Sequence, residues 1–340
     1  MTAFGGGIRA IHRIAVRSVI PISVLVVAVP VSAQSASLGS NQPYPQKYVR
    51  VITGNAGNMH DIILRQLGQR LSERWGQSVV VENRGGAGLT IGTGMAARAT
   101  PDGYTLLMSD RTAIAVAPSA FKGLSYDPVR DFAPITLVAR APLVVVAHPS
   151  VPATRLRELI EYAKQRPGML NYAGSGPATV THIAGEVLKQ MSGIEMTLVQ
   201  YKGTPAAMMA VVSGEVKVGF AMVPIALPHV TAGKVRAYAI TSSKRFSGLP
   251  EVPTSAEAGL PGFESDYWIG MLAPARTKTE LVAKLNKDIV SILRTSAMQA
   301  SLLAQGAELA AGTSEEFAAF IKSETARLRK VVEIAGIWMD

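Results

Sequence analysis

From Tyr44 onward, short apolar runs alternate with segments whose apolar residues recur every three or four positions, and the joints between them are rich in Gly, Ser, Thr and Asn. This alternation constrains the fold more than any single motif. Strand, loop and helix in repeated succession imply an α/β chain built on parallel sheet with helices on both faces. Strands are predicted over 48–53, 78–82, 104–108, 143–147, 170–172, 196–201, 216–221 and 235–241, with a return within 263–272. Helices are predicted over 61–75, from the glycines at 85–88 through 99, over 155–166, up to 191, and over 205–213. In the first of these, Ile62, Ile63, Leu67 and Leu71 share one face. The last part changes character, with amphipathic helices over 279–295, 297–305 and 314–334, the final one opened by Ser314-Glu315-Glu316.

In open α/β sheets, ligands bind where strands end and loops lead into helices. Three such joints, 54–58, 109–112 and 174–181, are enriched in Gly, Asn, Ser and Thr. Two lie in the first half and one in the second, so a cleft between two lobes would bring them face to face. The first turn of a helix has free N–H groups and about half a positive charge. Glycines ahead of it let a ligand approach the backbone, and hydroxyls add adjustable donors. Such a joint satisfies a carboxylate without an arginine. For any one joint, an ordinary helix cap is the competing reading.

The first 33 residues are set apart. Arg9, Arg13 and Arg17 precede an apolar run over 19–31, and Val31-Ser32-Ala33 ends it with small residues. This is the order of a secretory signal peptide, with cleavage expected near Ala33; a retained N-terminal anchor is the alternative. Residues 34–43 form a polar tether. Removing those three arginines from 34 Lys+Arg leaves 31 against 24 Asp+Glu, scattered without a basic stripe or stacking aromatics. That disfavours a nucleic-acid groove. The chain has no cysteine, which excludes disulfides, thiolate metal sites and a lipid-bearing cysteine. An exported, periplasmic protein is expected.

Catalytic motifs fail on detail. No glycine loop ends in Gly-Lys-Ser/Thr, and after Gly86-Ala87-Gly88 the third glycine of a dinucleotide fingerprint would fall at Ile91. Tight packing is the favoured reading of Gly85 to Gly88. Ala173 stands where a nucleophile elbow around Ser175 would need glycine. Histidines 12, 60, 148, 182 and 229 show no metal-ligand spacing. His182 is expected to bond locally at its helix start. Passive anion binding, with no catalytic residue, metal or cofactor, is the reading that survives.

The segments VVVENRGGAG (79–88), PDGYTLL (101–107), THIAGEVL (181–188), YKGTPAA (201–207), LPEVPTSAEAGLPGFE (249–264) and SEEFAAFI (314–321) are, in this order and spacing, similar to the substrate-binding receptors of tripartite tricarboxylate transporters, often called Bug receptors. The resemblance covers nearly all of 44–337. It implies a two-lobe, type II periplasmic binding fold of the Venus-flytrap kind. Lobe 1 would comprise 44–140 and 264–340, and lobe 2 141–263. The crossings would lie near 139–143 and 262–266, with the C-terminal helices returning to lobe 1. It also implies that a ligand carboxylate is held by one strand–turn–helix element per lobe, through backbone amides and waters, and is delivered to membrane permease subunits. A monomer is expected.

On this basis the binding residues are Gly54, Asn55, Ala56, Gly57, Asn58 and Asp61 from the first element, and Ser109, Asp110 and Arg111 from the third loop. Ser175, Gly176, Ala178, Thr179 and His182 come from the second element, with Tyr201 and Met222 nearby. Five positions depart from the family pattern. Asn58 and Ala178 stand where glycines are usual, Asp110-Arg111 replaces small polar residues, and Lys217 replaces Asp. Arg111 is a candidate ion-pair partner for cargo, with pairing to Asp110 or solvation as alternatives. A sensor of the same fold, or an enzyme using His182 or Asp110 as general base, are the other functional readings.

Overall fold

The computed structural model describes residues 44–339, so the signal-peptide and tether readings fall on residues outside it. In chain order the elements begin β1 (Val49–Thr53), α1 (Met59–Trp75), β2 (Val79–Asn83), α2 (Thr90–Ala97), β3 (Thr105–Asp110), α3 (Ala117–Ala120) and β4 (Phe132–Ala141). They continue with β5 (Leu143–Ala147), α4 (Leu156–Lys164), β6 (Leu170–Gly174), α5 (Val180–Ser192), β7 (Met196–Gln200), α6 (Thr204–Val212), β8 (Val218–Met222), α7 (Val223–Thr231) and β9 (Arg236–Ile240). The last are β10 (Tyr267–Pro274), α8 (Thr279–Leu293), α9 (Ser296–Ala304), β11 (Glu308–Leu309) and α10 (Ser314–Ala335). A 3-10 turn (Ala87–Leu89) precedes α2, and a π-helical turn (Thr112–Val116) leads into α3.

The strands form two sheets, ordered β11-β4-β10-β3-β1-β2 and β7-β6-β8-β5-β9. The expectation of parallel sheet is only partly met. β1 runs parallel to β2 and β3, and β6 parallel to β7 and β8. β10 is antiparallel to β3 and β4, and β5 is antiparallel to β8 and β9. The reason lies in the connectivity: β5 and β10 are the first strands after the chain passes from one sheet to the other, and each enters against its neighbours. Ser109 and Asp110, expected in a loop, complete β3, and helical turns begin directly after Arg111. β4, α3 and α7 were not predicted. Pro118 and Pro224 occupy first-turn positions of α3 and α7, where a missing N–H costs nothing.

One core lies on the first sheet, and a larger one is shared by both sheets. In the first, Val51, Leu106, Met108 and Met271 meet Ile63, Leu64 and Leu67 of α1, with Leu285 and Ile289 of α8 closing the layer. In the second, Val145, Tyr172 and Phe220 pack with Ile183, Ala184 and Leu188 of α5. Glycine is required where helix meets strand. A side chain at Gly185 would overlap the Tyr172 ring, and one at Gly270 would overlap Phe317 of α10.

Only Pro142 separates β4 from β5, and the return path runs from β9 to β10. Thr241 stitches the two paths. Its N–H donates to the Leu143 carbonyl (2.9 Å), its hydroxyl accepts from the Leu143 N–H (2.9 Å), and its carbonyl accepts from the Ser265 N–H (3.2 Å). Beside it lies an ionic cluster. Arg140 pairs with Asp266 (2.9 Å) and Glu264 (3.3 Å). Arg111, 1% exposed, donates to Ser265 Oγ and the Asp266 carbonyl and pairs with Glu324 of α10 (3.3 Å). Arg327 clamps the same carboxylate with two bonds of 2.9 Å. Burial pushes the Arg111 pKa down to about 10, so the guanidinium stays charged at neutral pH and must keep its partners.

Among the described residues no helix is long and apolar enough to cross a membrane. The C-terminal helix is anchored at its start by a capping box, in which Glu316 N–H donates to Thr313 Oγ1 and Thr313 N–H donates to Glu316 Oε2. Removing the buried anion should be far costlier than removing this cap. Glu324→Ala, which strands Arg111 without its counter-charge, is expected to destabilise the protein by about 3–5 kcal/mol. Thr313→Ala should cost about 1 kcal/mol. Urea unfolding of both variants beside the parent measures the difference.

Candidate functional site

The first element is the joint from β1 to α1. Gly57, at φ 80°, makes the turn that only glycine adopts freely, and Asn58 is the helix N-cap in extended conformation. The Asn58 side chain does not cap the helix. The loop is held by Asp61, which accepts from the Gly57 N–H (2.9 Å), from Arg65 (3.1 Å) and from Asn83 (2.9 Å). Burial would raise the Asp61 carboxyl, but these donors outweigh it and hold it below its ordinary value.

The second element, from β6 to α5, is built in the same way. Its N-cap, Thr179, is extended and also leaves the helix uncapped, because its hydroxyl donates back to the Gly176 carbonyl (2.8 Å). Ser175 Oγ lies 2.8 Å from Thr181 Oγ1 and donates to Thr179 Oγ1 (3.1 Å), while the Ser175 N–H donates to Thr181 Oγ1 (2.9 Å). The three hydroxyls thus satisfy one another. Ala178 has φ 54°, a left-handed conformation that favours glycine. Its N–H donates to His182 Nδ1 (3.2 Å), so His182 bonds locally, and burial lowers its pKa.

A cavity of about 390 Å³ lies where these joints meet. Six predicted residues line it: Asn55, Asn58, Asp110, Ser175, Thr179 and Met222. Gly54, Ala56, Gly57, Asp61, Gly176, Ala178 and His182 are absent from its wall; they belong to the turns that carry the lining residues. Ser109 is buried against Thr93 of α2 (3.2 Å), and the Tyr201 hydroxyl donates outward to Glu215 (2.9 Å). Arg111 turns into the ionic cluster, a placement that none of its three expected alternatives described. Lys217 donates to the Gly214 carbonyl (2.8 Å) and is also absent from the wall.

The rest of the wall was not predicted. Gly86, Gly88 and Leu89 form one side, which reverses the preference for pure packing in that glycine run. Gly85 does serve packing, since a side chain there would overlap Asn55. Met59, His60 and Val180 are first-turn residues of α1 and α5, while Thr112, Pro177, Thr204 and Tyr267 come from neighbouring joints. Met339 reaches the cavity because its N–H donates to the Ala120 carbonyl (2.8 Å).

At the end of the cavity formed by α1, β3 and β10 three polar side chains are linked. Asp110 Oδ1 accepts from the N–H groups of Thr112 (2.8 Å) and Ala113 (3.1 Å), and Oδ2 accepts from the Tyr267 hydroxyl (2.8 Å). With its proton given to Asp110, the Tyr267 oxygen receives His60 Nδ1–H at 3.3 Å. His60 is 3% exposed and its Nε2 has no partner. Burial lowers the His60 pKa, keeping it neutral, and burial pushes the Asp110 carboxyl up against the opposing pull of His60, Tyr267 and the two amides. No Lys or Arg is among the described residues that line the cavity.

Comparison with known proteins places this arrangement. The sequence model of the tripartite tricarboxylate transporter family receptor matches residues 63–337. Protein BugT of Bordetella pertussis is 34% identical over 312 residues, covering 91% of this chain and 93% of that protein. Among solved structures, R. palustris Rpa4515 with adipate is 34% identical with a TM-score of 0.72, covering 87% of this chain and 99% of that one. MatC from Rhodopseudomonas palustris with bound malate is 31% identical with a TM-score of 0.69, covering 85% and 100%. The two-sheet architecture, the paired helix starts at one cavity and this family match converge on a binding role, and the chain belongs to the receptor family of tripartite tricarboxylate transporters.

Proposed function

We propose that the protein is a periplasmic receptor that closes two lobes, 44–140 with 264–340 and 141–263, on a small organic carboxylate. It would then pass the cargo to the membrane permease subunits of a tripartite transporter. A signal peptide would direct export and be cleaved near Ala33, and the receptor would act as a monomer. The observation that carries this reading is the meeting of two helix starts, at Asn58–His60 and Thr179–Val180, on one cavity without a lining Lys or Arg. Neither N-cap side chain satisfies its helix, so first-turn N–H groups remain for an anion. Adipate and malate in the two R. palustris relatives support the carboxylate class.

Calorimetry against mono-, di- and tricarboxylates, aromatic acids included, tests the reading. Binding accompanied by a ligand-dependent rise in melting temperature is expected. If no acid in the panel bound, the receptor reading would be wrong.

Backbone donors are deleted selectively by proline at the first helical position, where the lost N–H has no helical partner and the ring suits the helix. Val180→Pro and Met59→Pro each follow an extended residue, Thr179 with ψ 164° and Asn58 with ψ 164°, so the preceding conformation is compatible. Each is expected to weaken carboxylate binding by about 1.5–3 kcal/mol, the range for a hydrogen bond to a charged group. The melting temperature of the ligand-free protein should scarcely move. Thr179→Val probes the other possibility, that hydroxyls carry the affinity. Because that hydroxyl is committed to Gly176, its loss is expected to weaken binding less than Val180→Pro does, measured by the same titration.

A further inference from the structure

One carboxyl group at the cavity belongs to the protein itself. Asp110 is 5% exposed, lines the cavity and sits at the end of β3, where the chain turns into the helical segment that follows. Its Oδ1 takes the N–H groups of both Thr112 and Ala113, which are the donors that this joint would otherwise offer to a ligand. Its Oδ2 takes the Tyr267 hydroxyl, and Tyr267 is in turn backed by His60. The third of the three joints is therefore self-occupied at its helix start; in the first, the Asp61 carboxylate takes the Gly57 N–H ahead of the N-cap, and neither the Asn58 nor the Thr179 side chain caps its helix.

The remaining wall offers no cationic side chain to balance a second ligand charge. It contains no Lys or Arg among the described residues, and much of its surface is apolar, with Met59, Leu89, Val180, Met222 and Met339. A carboxylate placed near Asp110 would find the local amides taken and, whenever Asp110 is ionised, would also meet a like charge in a poorly screened cavity. Even in its protonated form the Asp110 side chain would still occupy those amides, so exclusion does not rest on charge alone.

We infer that Asp110, positioned by Tyr267 and the Thr112 and Ala113 amides, is a specificity residue that restricts cargo to monocarboxylates with an uncharged, largely apolar body. The inference rests on the receptor reading above and narrows it. The free head group lies at the two open helix starts, and the body of the cargo runs along the methionine-lined wall toward Asp110. A neutral group that donates a hydrogen bond is tolerated at that far end, because Asp110 Oδ2 retains acceptor capacity.

The test compares matched acids at neutral pH, where every carboxyl of the ligand is ionised: hexanoate against adipate, and benzoate against terephthalate, by calorimetry on the full mature chain. In each pair that binds, the monoacid is expected to bind at least tenfold tighter than the diacid. Asp110→Asn keeps an oxygen for the two amides and removes the charge, and should shrink that ratio at least fivefold through tighter binding of the diacid. Asp110→Ser, which also frees the amides, should shrink it further. A diacid that binds the parent protein as tightly as its monoacid overturns the inference and leaves the receptor reading standing. An unchanged ratio in folded Asp110→Asn and Asp110→Ser overturns the role of Asp110. Absence of binding by every acid of the wider panel overturns both.

Discussion

A guanidinium that is almost wholly buried must be paired, and Arg111 meets that requirement by gathering three distant stretches of chain. Its partners are Glu324 on the C-terminal helix and Ser265 and Asp266 on the path back from the second sheet. Arg140, from the opposite path, joins through Asp266. Fixing these groups together ties both paths between the sheets to α10. It also separates two neighbours of opposite charge. Arg111 faces inward to its anions, and Asp110 is left at the cavity with only hydrogen-bond donors around it.

The chemistry of the cavity follows from that separation. Conventional anion sites use arginine, but here the cations are spent on the framework and the wall has none among its described residues. What is left for an anion is backbone, at two helix starts whose N-cap side chains are turned to other tasks. Thr179 serves Gly176, and the hydroxyls of Ser175 and Thr181 serve each other. Under the proposed reading, such a site would bind through pre-aimed dipoles, hold without a salt bridge and be able to release what it holds.

Much of this architecture was legible in the sequence, wherever periodicity was clean. The helix expected over 61–75 is Met59–Trp75, that over 279–295 is Thr279–Leu293, and the strand over 143–147 is Leu143–Ala147. Loops 54–58 and 174–181 were recognisable because glycines and hydroxyl residues abut helical patterns. What escaped has physical causes. β4 carries Pro134 and two register shifts against β10, so its alternation is broken. His60 and Tyr267 lie 207 residues apart and meet only through the folded sheet, which leaves no local spacing to detect. The destination of Arg111 likewise depends on Glu324, and no motif joins two residues so distant in the chain.

Ala178 gives the second loop a property that its contacts alone do not. An alanine in the left-handed region is less comfortable than glycine by roughly 1 kcal/mol, yet it also narrows the conformations open to the loop when unoccupied. The cluster of Ser175, Thr179 and Thr181 then holds a segment that has little freedom to lose. If cargo binds at this loop as proposed, its arrival would forfeit less chain entropy on the β6–α5 side than a glycine loop would demand, and adaptation to differently shaped acids would be correspondingly limited.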